Sequence, residues 1–164
     1  MVILNSNQIK NKIIRIASEI HERHADSEGL ILAGINNKGF FFAESLQKAL
    51  LKLGQSSVRT AKLSLNPAHP LEPKASIDLD LTKIASKQII VIDDISNTGR
   101  TLFFAMGPFM EVITKKLEVC VMVERMHKSY PICVDYFGVR LATTLKQNIE
   151  LLFKDGEPVE AQLN

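Results

Sequence analysis

A short apolar strand that ends in two acids constrains this chain more than any other feature. Residues 89–92 read Ile-Ile-Val-Ile, and Asp93 and Asp94 follow directly. A β-branched run without polar alternation predicts a strand that is buried on both faces, as in a parallel sheet. Open parallel sheets bind their ligands at the carboxyl ends of the strands. The acid pair therefore marks a predicted binding site at that edge.

A small polar loop follows the acid pair and leads into a predicted helix. The residues from the end of the strand onward are Ile95, Ser96, Asn97, Thr98, Gly99, Arg100 and Thr101. Free N–H groups at a helix start, flanked by small residues, bind phosphate. Two carboxylates beside them can accept hydrogen bonds from the vicinal hydroxyls of a sugar. Together these groups suit a phosphorylated ribose, whereas an ordinary capped connection would explain only one of the two acids.

The rest of the chain alternates predicted helices and strands. The first helix has its apolar face at Ile9, Ile13, Ile16, Ala17 and Ile20, after a predicted N-cap at Ser6. The further predicted elements are strand 29–35, a helix from Phe42 to Leu53, strand 58–65, a loop at 66–77, strand 89–92, a helix to Lys116 kinked at Gly107-Pro108, strand 117–123 and short strands 132–136, 139–142 and 148–153. This order predicts an α/β fold with a doubly wound, mainly parallel sheet flanked by helices.

The acid pair and its loop resemble the phosphoribosyl-diphosphate (PRPP) motif of the type I phosphoribosyltransferases. The residues that carry this resemblance are Asp93, Asp94, Ile95, Thr98, Gly99 and Thr101. The resemblance implies that Asp93 and Asp94 act on the ribose of PRPP and that residues 95–101 bind its 5-phosphate. It also implies Mg²⁺ as cofactor and a nucleobase as the acceptor.

A second stretch resembles the pyrophosphate loop of the same enzymes. Residues 34–39 read Gly-Ile-Asn-Asn-Lys-Gly, and the nearest pattern is that of the bacterial pyrimidine-operon attenuators that are also uracil phosphoribosyltransferases. The resemblance assigns pyrophosphate binding to Ile35, Asn36, Asn37, Lys38 and Gly39. Lys38 stands where that pattern has arginine, which keeps the charge but loses the bidentate fork.

The carboxyl-terminal part extends the resemblance to these attenuators. Residues 124–132 are similar to a segment that follows their sheet, and residues 135–138 to their Asp-Tyr-x-Gly. The resemblance implies one phosphoribosyltransferase-like domain over residues 1–164, with a small hood mainly within 124–164. Arg125, His127, Asp135 and Tyr136 are the base-binding candidates in that hood. A solvated basic turn is the open alternative for Arg125 and His127.

Two departures from the family bear on the substrate and on catalysis. Purine-using relatives often carry aspartate at the place of Asn97, and an amide cannot accept the proton of the base. Hypoxanthine and guanine are therefore less expected, although the attenuators usually have an aromatic residue at this place, so that Asn97 matches neither group. The resemblance to the attenuators favours uracil, and a purine or a non-nucleotide acceptor stays open. The flexible loop lacks the family's Arg-Asp pair, and Lys62, His69 and Lys74 are the basic residues near it. We expect residues 66–77 to form a lid, with Lys62 or Lys74 supplying any charge that reaches the pyrophosphate.

Composition sets limits on location and partners. The 164 residues suffice for one buried domain, and the net charge of +2 argues neither for nor against nucleic acid. Without a membrane-length apolar run or a signal peptide, and with Cys120 and Cys133 predicted as buried thiols in strands, a cytoplasmic protein is expected. His21 and His24 are predicted on the surface. Aromatic residues left off the helix core faces, at positions 41 and 103–104, predict a homodimer or higher homo-oligomer.

Two rival functions remain open on the sequence. One is a regulator that senses PRPP or nucleotides, with RNA as a further partner and with little or no catalysis. The altered loop favours it. The other is a response-regulator receiver domain, in which paired acids follow the first strand, so that a pair at positions 93 and 94 fits poorly. Turnover of PRPP to pyrophosphate separates an enzyme from either.

Overall fold

Strands and helices alternate along the chain in the computed structural model, which describes residues 1–142 and 147–164. In chain order the elements are β1 (Val2–Leu4), α1 (Ser6–His24), β2 (Leu30–Ile35), α2 (Asn36–Lys52), β3 (Val58–Ser64), β4 (Ser76–Ile77), α3 (Leu81–Ile84), β5 (Gln88–Ser96), α4 (Arg100–Ala105), a 3-10 turn (Gly107–Met110), β6 (Lys116–Arg125), β7 (Tyr136–Leu141), β8 (Ile149–Lys154) and β9 (Glu157–Leu163).

The main sheet has six strands in the order β4-β3-β2-β5-β6-β7. Neighbouring strands from β3 to β7 run parallel, and only the two-residue edge strand β4 is antiparallel. Because two parallel strands need a crossover connection, the chain crosses back after each strand to the end of the sheet at which that strand began. The predicted doubly wound, mainly parallel α/β fold is confirmed.

Burial on both faces explains the apolar run of β5. Ile90 and Ile92 pack in the layer that contains α1 and α2. Ile89 and Val91 face the opposite layer, which includes Ile84 of α3 and Leu102 of α4. Since successive side chains of a strand point to opposite faces, both sets must be apolar.

A second sheet of three antiparallel strands, β1-β9-β8, lies against the first layer. The predicted strand 148–153 corresponds to β8, but β1 and β9 were not expected. β1 has only three residues, too few for a readable pattern, and it forms by pairing with the other end of the chain. The predicted subregion 124–164 therefore shares its sheet with the amino terminus.

The helix after Gly99 is much shorter than predicted. α4 ends at Ala105, and Gly107 and Pro108 lie in the 3-10 turn that follows. Proline has no N–H for the helical ladder and glycine disfavours the helix, so the pair ends α4 instead of kinking it. Met106 and Phe109 are buried as expected, but Ile113 is 87% exposed instead of lying in the core.

Several surface expectations were also wrong. Residues 132–135 form no strand, and Cys133 is an exposed thiol. At the amino end of α1, Asn5 rather than Ser6 is the N-cap, in a capping box with Gln8. His24 is buried and contacts Glu118 across 2.6 Å.

The off-face aromatic residues have partners within the chain. The rings of Phe103 and Phe104 lie 5.4 and 5.9 Å from that of Tyr130, and Phe41 lies 6.1 Å from Phe153. They cover loops and the small sheet, so they no longer support an interface. The homo-oligomer stays a prediction. Among the described residues, no helix is long and apolar enough to cross a membrane.

Candidate active site

The acid pair lies at the carboxyl end of β5, between β2 and β6. Asp93 is 8% exposed, and one of its oxygens accepts a hydrogen bond from the backbone N–H of Asp94 at 2.9 Å. Asp94 accepts in the same way from the N–H of Ile95 at 3.0 Å. These local bonds hold both carboxylates at the edge of the sheet.

Burial keeps the pair from ionising freely. Loss of water, reinforced by the charge of Asp94, holds the pKa of Asp93 well above its ordinary range. The pKa of Asp94 is also raised by burial, although the nearby Lys38 opposes the shift. A cation brought in with a ligand would favour the charged forms of both.

The predicted pyrophosphate loop is in fact the end of β2 and the first turn of α2. Helix α2 begins at Asn36 without an intervening loop. Two glycines allow this: a Cβ on Gly34 would lie 2.4 Å from the Cα of Phe40, and one on Gly39 would lie 2.6 Å from the carbonyl oxygen of Ile92. Asn36 takes the left-handed conformation at φ 50°. The side-chain amide of Asn36 is hydrogen-bonded in both directions to the backbone of Leu65.

Two lysines flank this turn. The ammonium of Lys38 lies 3.9 Å from a carboxylate oxygen of Asp94 and 3.5 Å from one of Glu150. Lys62 donates to the side-chain oxygen of Asn37 at 2.6 Å. Of the basic residues predicted near the flexible loop, Lys62 is thus the one that contacts the turn. Lys74 is exposed.

Two cavities meet at the acid pair. The small cavity, about 50 Å³, is lined by Asp93, Leu102 and all seven residues from 95 to 101. The large cavity, about 450 Å³, is lined by Ile35, Asn36, Asn37, Lys38, Pro67, Asp93, Asp94, Ile95, Asn97, Thr101 and Ile149. The structure thus brings the predicted ribose, phosphate and pyrophosphate residues together. Gly39 is buried behind this wall.

The segment after β6 contacts the loop of the small cavity. Arg125 donates to the side-chain oxygen of Asn97 at 3.2 Å. Lys128, which belongs to the same basic turn of the sequence as Arg125 and His127, donates to the hydroxyl of Ser96 at 2.8 Å and to the carbonyl of Asn97 at 3.3 Å. His127 is exposed and lines neither cavity.

Asp135 and Tyr136, two of the predicted base-binding residues, line neither cavity. Asp135 accepts a hydrogen bond from the N–H of Val119 at 2.8 Å, and Tyr136 pairs with Cys120 in the sheet. The hydroxyl of Tyr136 donates to Glu118 at 3.1 Å in a buried cluster. Both side chains thus have partners at the amino end of β7, and their contact with a base stays a prediction.

Sequence reasoning also missed Ile149 and Glu150. They belong to β8, which the fold brings over the first turn of α2, and Ile149 is buried at the wall of the large cavity. No local motif marks either residue, because the contact joins positions more than 100 residues apart in sequence.

Two buried acids at the end of a strand, a small cavity beside them and a basic turn across from them lie together at one edge of the sheet. The family model described as the phosphoribosyl transferase domain matches residues 2–155, and the chain belongs to this family. It is therefore an enzyme of the class that transfers pentosyl groups.

Among named proteins, the chain is similar to the bifunctional protein PyrR of Bacillus mycoides, with 30% identity, and of Haemophilus ducreyi, with 31% identity. In each case the match covers 92% of this chain and 88% of the relative. The fold is similar to a hypoxanthine-guanine phosphoribosyltransferase from Bacillus anthracis, with a TM-score of 0.72 at 20% identity, covering 85% of this chain and 81% of that one. The hypoxanthine phosphoribosyltransferase of Trypanosoma cruzi gives the same TM-score and coverage at 18% identity.

The buried acid pair is expected to cost the fold stability. Asp93→Asn removes the ionisable group but keeps an acceptor for the N–H of Asp94, so it should raise the melting temperature at pH 7 by a few degrees, at roughly 2–4 °C per kcal/mol. Asp26→Asn, at an exposed aspartate, is the matched control.

The difference in stability between the wild type and Asp93→Asn should grow as the pH rises. Below the ordinary carboxyl pKa of about 3.9, Asp93 is protonated in both the folded and the unfolded chain, and the two proteins should melt alike. As the pH rises from there toward the raised folded pKa, the unfolded chain loses the proton first, which destabilises the wild type. Calorimetry between pH 4 and pH 7 measures the difference. A gap that does not widen with pH would contradict the raised pKa.

Proposed function

We propose that this protein transfers the phosphoribosyl group of PRPP to a nucleobase, with uracil favoured, and releases pyrophosphate. The observation that carries the proposal is the position of the buried acid pair, at the junction of a small and a large cavity. A ribose at this junction would place its 5-phosphate in the small cavity and its C1 substituents in the large one.

Each of the three groups of residues around the two cavities has one chemical role in the proposal. The loop residues Thr98 to Thr101 bind the 5-phosphate through N–H and hydroxyl groups. Asp93 and Asp94 accept hydrogen bonds from the ribose hydroxyls, and their charge stabilises the positive charge that develops at C1. Lys38, at the first turn of α2, binds the pyrophosphate.

The residues present fit a magnesium ion that arrives with its substrate. Within the described ranges no three acidic, histidine or cysteine side chains form a metal cage. Mg²⁺ typically binds through one or two carboxylates, substrate phosphates and its own waters, and Asp93 and Asp94 offer two carboxylates at one wall. When bound, the ion neutralises charge on the leaving pyrophosphate.

The reaction is a substitution at C1 of the ribose. The base nitrogen forms the new bond as the bond from C1 to the pyrophosphate oxygen breaks, pyrophosphate leaves with the electron pair, and the base nitrogen loses its proton to solvent. Positive charge on C1 requires that water be kept out. Pro67 lines the large cavity, and Arg100 contacts the carbonyl of Ala68 at 3.4 Å, so residues 66–77 are placed to act as the lid.

Asn97 supports a pyrimidine as the acceptor base. Its side-chain oxygen accepts from Arg125, which leaves the amide nitrogen to donate toward a base carbonyl. An amide cannot take up a proton from the base, which disfavours the purines whose enzymes use an acid at this place.

The turnover experiment tests the function directly. Pyrophosphate release from Mg²⁺-PRPP is measured with uracil and with a panel of purine and pyrimidine bases, and uracil is expected to give the highest rate. Asp93→Asn with Asp94→Asn should lower that rate by about 100-fold or more, because the charge at C1 loses its stabilising carboxylates. The exposed pair Asp26→Asn with Glu28→Gln is the control. Equal turnover in both double variants would reject the site.

The lysine beside the turn gives a second test. Lys62→Met should weaken pyrophosphate binding by about tenfold, since the substitution removes a charge-assisted hydrogen bond near the turn. Binding of ribose 5-phosphate, which occupies the other cavity, should not change. Lys74→Met, at an exposed lysine of the loop at 66–77, is the matched control. Titration calorimetry with pyrophosphate alone measures the effect, and equal affinity in both variants would remove Lys62 from the pyrophosphate site.

A regulator that binds RNA is the second candidate function. Two arginines lie against aromatic rings of β7, on opposite faces of the strand, which the sequence did not reveal. Arg23 lies 4.9 Å from the ring of Tyr136, and Arg140 lies 4.1 Å from that of Phe137. Tyr136 is fully buried, so of the two pairs it is Arg140 with the partly buried Phe137 that single-stranded nucleic acid can stack on. Arg140 is also paired with Glu124, which reduces its free charge.

Filter binding to the leader RNA of the protein's own transcript separates the two functions. If RNA contacts these arginines, Arg23→Ala with Arg140→Ala should weaken binding and reduce the slope of log affinity against log salt, by about 0.7 for each phosphate of single-stranded RNA that the variant no longer neutralises. Lys83→Ala with Lys87→Ala, in and after α3, is the control. Undetectable or salt-insensitive binding of the wild type would remove the regulatory function.

A further inference from the structure

The ammonium group of Lys128 is fully occupied by acceptors of the protein itself. It donates to the hydroxyl of Ser96 at 2.8 Å, to the carbonyl of Asn97 at 3.3 Å and to the carbonyl of Arg125 at 2.8 Å. A lysine has three N–H donors, so these contacts use all of them. Its side chain is only 19% exposed. Lys128 therefore acts on the loop at 96–99, called the phosphate loop from here on, and not on a ligand.

The backbone next to Lys128 holds the phosphate loop as well. The N–H groups of Ser129 and Tyr130 both donate to the carbonyl of Thr98, at 2.9 and 3.2 Å. The carbonyls of Asn97 and Thr98 are thus both held by residues 128–130. Each carbonyl belongs to a peptide group whose other end is the N–H of the next residue.

Peptide geometry links these hydrogen bonds to the small cavity. A trans peptide is planar, so its C=O and its N–H point in opposite directions, and neither of these two peptides is cis. With both carbonyls held by residues 128–130, the N–H groups of Thr98 and Gly99 point the other way. Neither N–H has an acceptor among the described residues. Successive N–H groups that converge, here with Gly99 in the left-handed conformation at φ 83°, form an anion-binding concavity.

We infer that Lys128 is a positioning residue for the reaction: by holding Ser96 and the carbonyl of Asn97, it fixes the peptide orientation that aims the N–H groups of the phosphate loop at the 5-phosphate. The inference rests on the proposed function, since it gives the loop its ligand. It extends that function to a residue 30 positions beyond the loop and outside the PRPP motif.

A neutral side chain would hold the loop less well. Hydrogen bonds from an ammonium are roughly twice as strong as neutral ones, and Glu124 lies 3.5 Å from the ammonium and balances its charge. Burial lowers the pKa of Lys128 without abolishing this pairing. Arginine carries the same charge and several donors, so it should replace lysine here better than any uncharged residue.

Ribose 5-phosphate and pyrophosphate, titrated separately by calorimetry, test the inference without requiring turnover. Lys128→Met should weaken ribose 5-phosphate binding at least tenfold and leave pyrophosphate binding within twofold of the wild type. Lys128→Arg should restore ribose 5-phosphate affinity to within threefold. In turnover, Lys128→Met should raise the KM for PRPP more than it lowers kcat. The control is Lys48→Met on α2, which breaks an exposed ion pair with Glu157 of β9.

The outcomes separate the inference from the proposed function. If Lys128→Met binds ribose 5-phosphate as tightly as the wild type, Lys128 does not position the loop. Equal losses for both ligands, or no recovery in Lys128→Arg, would mean general damage and would also overturn the inference. If Lys128→Met does not fold, Lys128→Gln is judged by the same criteria. A wild type that binds neither ligand would instead refute the proposed function.

Discussion

The site depends on the parallel pairing of β2 with β5. This ladder sets Gly34 opposite Ile92, and the first turn of α2 then passes directly over the end of β5. The approach is so close that a side chain on Gly39 would lie 2.6 Å from the carbonyl of Ile92. Only because the two backbones meet in this way does Lys38 come within 3.9 Å of Asp94. The contact between Lys38 and Asp94 and the large cavity between α2 and the acid pair thus follow from one register between two strands.

Several features of the site work against the stability of the fold. Two carboxylates are adjacent and largely removed from water, which disfavours the charged form of each. Asn36 sits in a left-handed conformation that few non-glycine residues adopt, and hydrogen bonds to Leu65 at the end of β3 hold it there. Strain of this kind persists where the surroundings over-determine a conformation, and it clusters at functional sites. The buried layers on both faces of β5 supply the stability that offsets it.

The two ends of the proposed substrate are held by different parts of the chain. The pyrophosphate side is built on the first turn of α2 and is bordered by Glu150 of β8. The phosphate side is a loop whose carbonyls are held by residues 128–130. α4 has only six residues, so the oriented N–H groups of the loop and the charge of Arg100, rather than a long helix, supply positive potential to the small cavity. Because the two binding segments are separate, the affinity for one end of the ligand can change without a change in the affinity for the other.

The sequence by itself determined the sheet and the chemistry of its edge. The run at 89–92 could only be a doubly buried strand, and local order alone placed Asp93, Asp94 and the phosphate loop at its carboxyl end. Only the tertiary structure decided what meets them. Lys128, Ile149 and Glu150 reach the site through contacts between residues far apart in sequence, and no local pattern encodes such contacts. The same holds for Asp135 and Tyr136, which were assigned by motif. Pairing with β6 sets Tyr136 beside Cys120, level with Ile92 of β5, and its side chain joins His24 and Glu118 in the core instead of lining a cavity.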